Sequence, residues 1–151
     1  MKQLRIIYHS QGNHVEAMAQ AVFSGACQEE AVNSRLILAA NAGLQDLLDA
    51  DALIFGTPEN FGYMSGMLKD FFDRTFYPAE QHKINLPYAL FVGAGNDGTG
   101  AITAVERIVP GYPLRKVAEP VLSVGGISDT ALQQCEELGL SVAAGTSMGI
   151  F

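Results

Sequence analysis

The sequence predicts an α/β protein, a three-layer sandwich in which helices cover both faces of a parallel sheet. Two observations carry that expectation. Short apolar, β-branched runs alternate with stretches of helical periodicity along the chain, the rhythm of βαβ units. The runs are apolar at successive positions, as strands buried on both faces are. At 151 residues the chain is long enough for one well-buried core, and a single domain over residues 1–151 is expected.

Taken in order, "LRIIYH" (Leu4 to His9) reads as the first strand and leads through "SQGNHV" into a helical pattern over His14 to Glu30. "SRLILA" is the second strand, and the "ANAGLQDLLDA" that follows has room for a helix of about two turns. "DALIFG" is the third strand, followed by a helix over Met64 to Phe76, and "YALFVG" is the fourth, followed by a helix over Thr99 to Val109. "DGTGA" supplies an Asp or Thr to cap that helix. "PGYPLRK" (110–116) reads as a Pro-Gly loop, "VAEPVLSV" as the last strand, and "SDTA" as the capped start of a final helix over Asp129 to Ala143.

Composition narrows the function classes. The chain is 48% hydrophobic and 17% charged, which is globular, and no apolar run approaches the roughly 20 residues that span a bilayer. The chain opens on a strand-like run rather than a secretory leader, so a soluble, cytoplasmic protein is expected. A net charge of −7 from scattered carboxylates argues for solubility and against a nucleic-acid surface. Cys27 and Cys135 fall in helical patterns with no CxxC and no His at metal spacing, so both are expected as buried thiols and no metal site is expected.

In parallel sheets joined by right-handed crossovers, ligands bind beyond the carboxyl ends of the strands, so loops 10–15, 57–63 and 93–99 are the ones expected to carry function. The first offers Ser10, Gln11, Gly12, Asn13, His14 and Val15 at a helix N-terminus, where successive amides suit a phosphate. Asn13 can take a positive φ to wrap an anion, Ser10 can donate its hydroxyl, and a cationic His14 would favour phosphate. A capped turn with no ligand is the plain alternative.

The second loop is more specific. "FGTPENFGYMSGMLKDFF" resembles the flavodoxin-like FMN reductase family, and more closely its tryptophan-repressor-binding-protein type of NAD(P)H:quinone oxidoreductase, through Gly56, Thr57, Pro58, Phe61, Gly62, Met64, Ser65 and Gly66. "YHSQGNHVEAMAQAV" and "GISDTALQQCEELG" extend the similarity over most of the chain. The resemblance implies a flavodoxin-like sandwich with a five-stranded parallel sheet of order 2-1-3-4-5 and an FMN site built from the three loops. Of the family's phosphate pattern only Ser10 fits. Gly12, Asn13 and Val15 stand where two Thr and a Gly are expected, so phosphate binding would lean on amides, Ser10 and His14.

A flat, apolar ring edged by hydrogen-bonding atoms wants a turn that supplies backbone N–H groups and aromatic matter. Thr57, Pro58, Glu59, Asn60, Phe61 and Gly62 offer it: Thr57 and Pro58 stiffen the strand exit, Gly62 permits an unusual backbone angle, and Phe61 or Tyr63 can face the ring. Glu59 either orients the ring or a partner, or stands in water. Gly93-x-Gly95-x-x-Gly98 looks like a dinucleotide fingerprint, but it sits in the fourth βα unit and lacks the acid at the end of a following strand. By resemblance, Gly93, Ala94, Gly95 and Asn96 instead bracket the pyrimidine edge of the flavin.

The resemblance further implies NAD(P)H as electron donor, a quinone, flavin or similar small acceptor, and no catalytic side chain. A flavodoxin-type electron carrier and a member without flavin are the alternatives. A phospho-receiver lacks its clustered acids here, and no P-loop occurs. Lys69 with Asp73 and Asp70 with Arg74, four apart, read as solvent-facing ion pairs. On the same helix Met64, Met67, Phe71, Phe72, Phe76 and Tyr77 exceed one core-facing stripe, which predicts a homodimer surface.

Overall fold

The computed structural model describes residues 1–151. Its elements are β1 (Lys2–Tyr8), α1 (Asn13–Ala26), β2 (Val32–Leu38), α2 (Leu44–Asp49), β3 (Ala52–Pro58), α3 (Gly66–Glu80), β4 (Leu86–Ala94), α4 (Thr99–Ile108), β5 (Leu114–Lys116), β6 (Val121–Val124) and α5 (Asp129–Met148). Every strand pair is parallel, and the order is β2-β1-β3-β4-β5, with β6 also pairing β4. That is the flavodoxin-like order. Side chains alternate between faces with period 2, so the central strands feed two cores. Leu4, Ile6, Ile54 and Phe91 pack with residues of α1 and α5, while Ile7, Leu53, Phe55, Leu90 and Val92 pack with residues of α2, α3 and α4.

The expected fifth strand is corrected. It comes in two pieces, because Tyr88 pairs with Lys116 and Phe91 with Val121, so the chain between Lys116 and Val121 bulges out of register. Val117 N–H still reaches Tyr88 O at 3.0 Å, but Pro120 has no N–H to give the ladder. The first piece begins at Leu114, inside the stretch expected as loop.

Helix ends also shift. α1 stops at Ala26, and Cys27, expected buried, is exposed, whereas Cys135 is buried as expected. α3 runs beyond Phe76 to Glu80 with Pro78 inside it; Phe76 packs edge-on against Tyr77 and Tyr112, and Ala79 is buried, so tertiary packing holds a turn that proline disfavours. α5 continues to Met148 because Gly145 and Thr146 remain buried past Ala143, and Gly149 ends it at φ 68°. The surface pairs Lys69–Asp73 and Arg74–Asp70 form as expected, at 2.5 and 2.7 Å.

α1 and α5 lie backbone against backbone. A Cβ on Gly25 would come 1.9 Å from Glu136 O, and one on Gly139 would come 1.9 Å from Val22 O. Only glycine fits both places, and the contact fixes the height at which the α1 N-terminus meets the sheet.

Buried titratable groups set a pH window for stability. Burial first, and then the Glu16 carboxylate bonded at 2.9 and 3.0 Å, push Tyr8 from 10.0 up to about 12. Burial likewise pushes Tyr112 from 10.0 and Cys135 from 9.0 up to about 12. The folded chain keeps protons that the unfolded chain releases at ordinary values, so stability is full below about pH 9 and falls as pH rises toward 12. Burial pushes His9 and His14 below 6.5, so the unfolded chain takes up protons first on acidification, and stability falls below that value. The urea midpoint is expected to plateau between about pH 6.5 and 9. A midpoint that climbs between pH 9 and 11 would contradict the buried phenols and thiol.

Candidate functional site

The three expected loops all emerge at the carboxyl ends of β1, β3 and β4. In the first, Gly12 is the N-cap of α1, with φ of −174°, and no side chain caps the helix. The Ser10 hydroxyl donates to Gly12 O at 2.5 Å rather than outward. Asn13, expected able to take a positive φ, instead begins α1; Phe61 and Lys83 are the non-glycine residues in that region. Gln11, Gly12 and Asn13 are exposed, while Val15 is buried beneath Gly93 and offers the site only its backbone.

His14, which in a cationic form would favour phosphate, has its ring bonded to another loop. Its Nε2 lies 2.8 Å from Ser123 Oγ, and the Ser123 hydroxyl donates to Gly126 O at 3.0 Å. Ser123 has one proton and spends it on Gly126, so His14 Nε2 carries the N–H and Nδ1 is bare. Burial holds the imidazole below its ordinary value, so the ring is neutral at pH 7.

In the second loop the Thr57 side chain is buried, accepting from Ser65 N–H at 2.9 Å and donating to Pro58 O at 2.8 Å. Ser65 Oγ in turn caps α3 by accepting from Leu68 N–H. Paired backbone bonds between Asn60 and Tyr63, at 2.9 and 3.0 Å, close a tight turn whose centre is Phe61 (φ 53°) and Gly62 (φ 70°). Both central residues have positive φ, as the type I′ form of a two-residue hairpin turn requires. Gly62 takes this cheaply, but an aromatic residue pays of order 1 kcal/mol. The turn holds Phe61 fully in solvent, a posture that serves no core.

Glu59 has a role outside both sequence alternatives. Its carboxylate accepts from the N–H groups of Gly98, Gly100 and Ala101 at 2.9, 2.9 and 3.2 Å, and so caps α4. Its side chain is therefore committed, and its contribution at the mouth is backbone. In the third loop Gly93 and Ala94 are buried while Gly95 and Asn96 are exposed. Gly93 admits the ring of His14, since a Cβ there would sit 3.2 Å from Nδ1. Gly98 takes φ 90° over Leu122.

A fourth loop, missed from sequence, completes the ring. Residues 125–128 join β6 to α5 through Gly125 (φ 86°) and Gly126 (φ 120°). The signal was the glycine pair in "VGGIS" between a strand and a helix. The four loops are tied in a circle. Asn60 Nδ2 donates to Gln11 Oε1 at 2.6 Å, Glu59 joins the second loop to α4, Gly125 N–H reaches Ala94 O at 2.9 Å, and Ser123 with His14 closes back on α1. A separate hollow of about 230 Å³, bordered by Lys2, Asp51, Arg115 and Phe151, lies at the opposite end of the sheet, where helix N-termini do not converge.

Many activities share this architecture. Residues 15–126 match the model of a family described as NADPH-dependent FMN reductase. The chain belongs to that family. Among solved structures, this FMN reductase family member resembles a flavodoxin from the domain Archaea at TM-score 0.83 and 21% identity, covering 95% of this chain and 98% of that one. It resembles a WrbA-like flavodoxin from Agrobacterium tumefaciens at TM-score 0.78 and 20% identity, over 98% and 99% of the two chains. It also matches rubredoxin oxygen:oxidoreductase from Desulfovibrio gigas at TM-score 0.83 and 16% identity, over 99% of this chain but 37% of that one. At these identities the solved structures establish the fold. No helix of the family member is long and apolar enough to cross a membrane.

Proposed function

We propose that this protein is a cytoplasmic oxidoreductase that binds FMN noncovalently at the four-loop mouth and passes reducing equivalents from NAD(P)H to a quinone, a flavin or a similar small acceptor. The observation that carries the reading is the uncapped α1 N-terminus. α3 and α5 are capped by Ser65 and Ser128 and α4 by Glu59, whereas the first amides of α1 are left without a side-chain acceptor beside Gly12. Ser10 Oγ accepts from the Gly12 N–H at 3.4 Å, which leaves the N–H groups of Asn13, His14 and Val15, with the helix dipole at that end, to fit a phosphate.

The residues present fit the rest of the group as well. Phe61 offers an exposed aromatic face, the turn at Asn60 to Gly62 offers backbone polar groups, and Gly95 and Asn96 offer exposed amides across the mouth. Bound FMN would supply the hydride-accepting and electron-donating chemistry. The chain's part is to hold, orient and shield, and no side chain acts as acid or base. Ser10 is already bonded to Gly12, so phosphate binding rests on amides, and FMN is expected to leave readily on purification.

Titration of the purified protein with FMN is expected to quench flavin fluorescence and perturb its spectrum at micromolar concentrations. No change at hundreds of micromolar would sink the flavin reading and favour a member that works without flavin. An electron carrier is the other rival, matching the flavodoxins among the structural relatives. The loop Gly93 to Gly98 has no aromatic residue, which leaves one side of the mouth open to a stacked substrate and favours the enzyme. Steady-state oxidation of NAD(P)H with a benzoquinone acceptor separates the two: bound flavin without turnover means a carrier.

We also propose a homodimer through the outer side of α3. The excess apolar residues are fewer than the sequence suggested, since Met64, Phe71 and Phe72 are buried and Phe76 is half-buried. Tyr63, Met67 and Tyr77 remain exposed, at 42%, 38% and 77%; Tyr63 borders a cleft with Gly62 and Thr99, and Tyr77 borders a second one with Phe76 and Ile108. Light scattering at tens of micromolar is expected to give twice the chain mass of 16.1 kDa; a monomer mass refutes the dimer.

A further inference from the structure

The loop after β6 belongs to none of the segments from which the sequence builds a flavin site, yet it is held more firmly than a connecting loop needs to be. Ser123 is buried at 4% exposure and spends its hydroxyl proton on Gly126 O while accepting from the neutral His14 ring, 109 residues away. Gly125 N–H adds a bond to Ala94 O. Burying a hydroxyl and half-burying an imidazole costs free energy that their mutual bond only partly returns, so such a pair is kept where it fixes something. What it fixes is a two-glycine bend that leaves Val124 and Ile127 about half exposed, at 48% and 50%, beside the mouth.

We propose that Ser123, held by His14, is a positioning residue that sets residues 124–127 as a fourth wall of the flavin site, with Val124 and Ile127 as its apolar surface. The proposal rests on the flavin reading of that mouth. His14 then serves twice: its backbone amide belongs to the uncapped first turn of α1, and its side chain orients a loop on the far side of β4. The wall and the phosphate-binding turn move as one unit because one residue anchors both. Ser10 and Gln11 face only their own loop or its neighbour, so this link is the one that joins α1 to the β6 end of the sheet.

Two arms test it. In ligand-free protein, Ser123→Ala is expected to speed amide hydrogen exchange at residues 125–127 by about tenfold or more, since it removes both hydroxyl bonds. Ser123→Thr, which keeps the hydroxyl, is expected to restore protection. In the second arm the exposed substitutions Val124→Ser and Ile127→Ser are each expected to raise the FMN dissociation constant about fivefold with an unchanged thermal midpoint, by loss of apolar contact. Unchanged exchange in Ser123→Ala overturns the positioning role. Unchanged FMN affinity in both surface variants overturns the wall. Should Ser123→Ala fail to fold, Ser123→Thr and the surface pair still decide. A wild-type protein that binds no FMN defeats the flavin reading and the wall together, whereas the exchange arm, read without ligand, still decides what Ser123 does.

Discussion

Gly139→Ala is expected to cost about 3 kcal/mol or more, enough to unfold a marginal domain at room temperature. The new methyl would lie 1.9 Å from Val22 O and 2.9 Å from Ala26 N, both backbone atoms inside α1. No rotamer change relieves that overlap; α1 and α5 must separate. Because Asn13 and His14 stand at the open end of α1 behind its N-cap Gly12, the separation also pulls the amides proposed to hold the phosphate and the His14–Ser123 bond out of place, and FMN affinity is expected to fall at least tenfold in whatever remains folded. Gly25→Ala, which meets Glu136 O at 1.9 Å, should behave alike. Gly66→Ala is the control: it meets nothing within 4 Å, sits at the start of α3, and is expected to be neutral or to stabilise by up to about 1 kcal/mol. Urea denaturation of the three variants checks this, and a loss under about 1 kcal/mol in Gly139→Ala would mean that the helices do not touch in this way.

Glu59→Ala is expected to lower stability by about 2 kcal/mol and to weaken FMN binding about tenfold, and Glu59→Gln to do roughly half as much. The carboxylate satisfies N–H groups of Gly98, Gly100 and Ala101, which have no other side-chain partner in the α4 cap. Capping losses run near 1 kcal/mol, and hydrogen bonds to a charged acceptor at a helix N-terminus run higher. Glutamine keeps an acceptor of the right reach but loses the charge that suits the dipole. The functional effect follows from place: Glu59 is the strut between the Phe61 turn and the Gly95–Asn96 loop, so its removal lets two walls of the mouth drift apart. Faster hydrogen exchange at Gly98, Gly100 and Ala101 is the direct sign, and unchanged exchange there would refute the capping role.

The sequence was enough for the layered parallel sheet, because runs such as "ALIFG" and "YALFV" are apolar at every step and only a strand covered on both faces can bury them so. It was enough for three of the four loops that meet at the carboxyl ends and for the family, through the stretch from Gly56 to Gly66. It also foresaw that Gly62 takes a special backbone angle, though not that Phe61 shares it. Its errors were of boundary and of partner. Pro120 and the bulge before Val121 divide a strand that apolar content alone joins, and the packing of Phe76 on Tyr112 carries α3 through Pro78, which local propensity opposes.

A residue's nearest neighbours along the chain set period, strand type, turn-forming glycines and the order of elements, and these are legible without the fold. Tertiary structure alone decided what each polar side chain holds. Glu59 reaches amides 39 to 42 residues away, and His14 finds Ser123 across 109. Local chemistry marks such residues as polar and able to bond, but a buried donor or acceptor takes the partner that the folded sheet brings within about 3 Å, and sequence periodicity does not encode that distance.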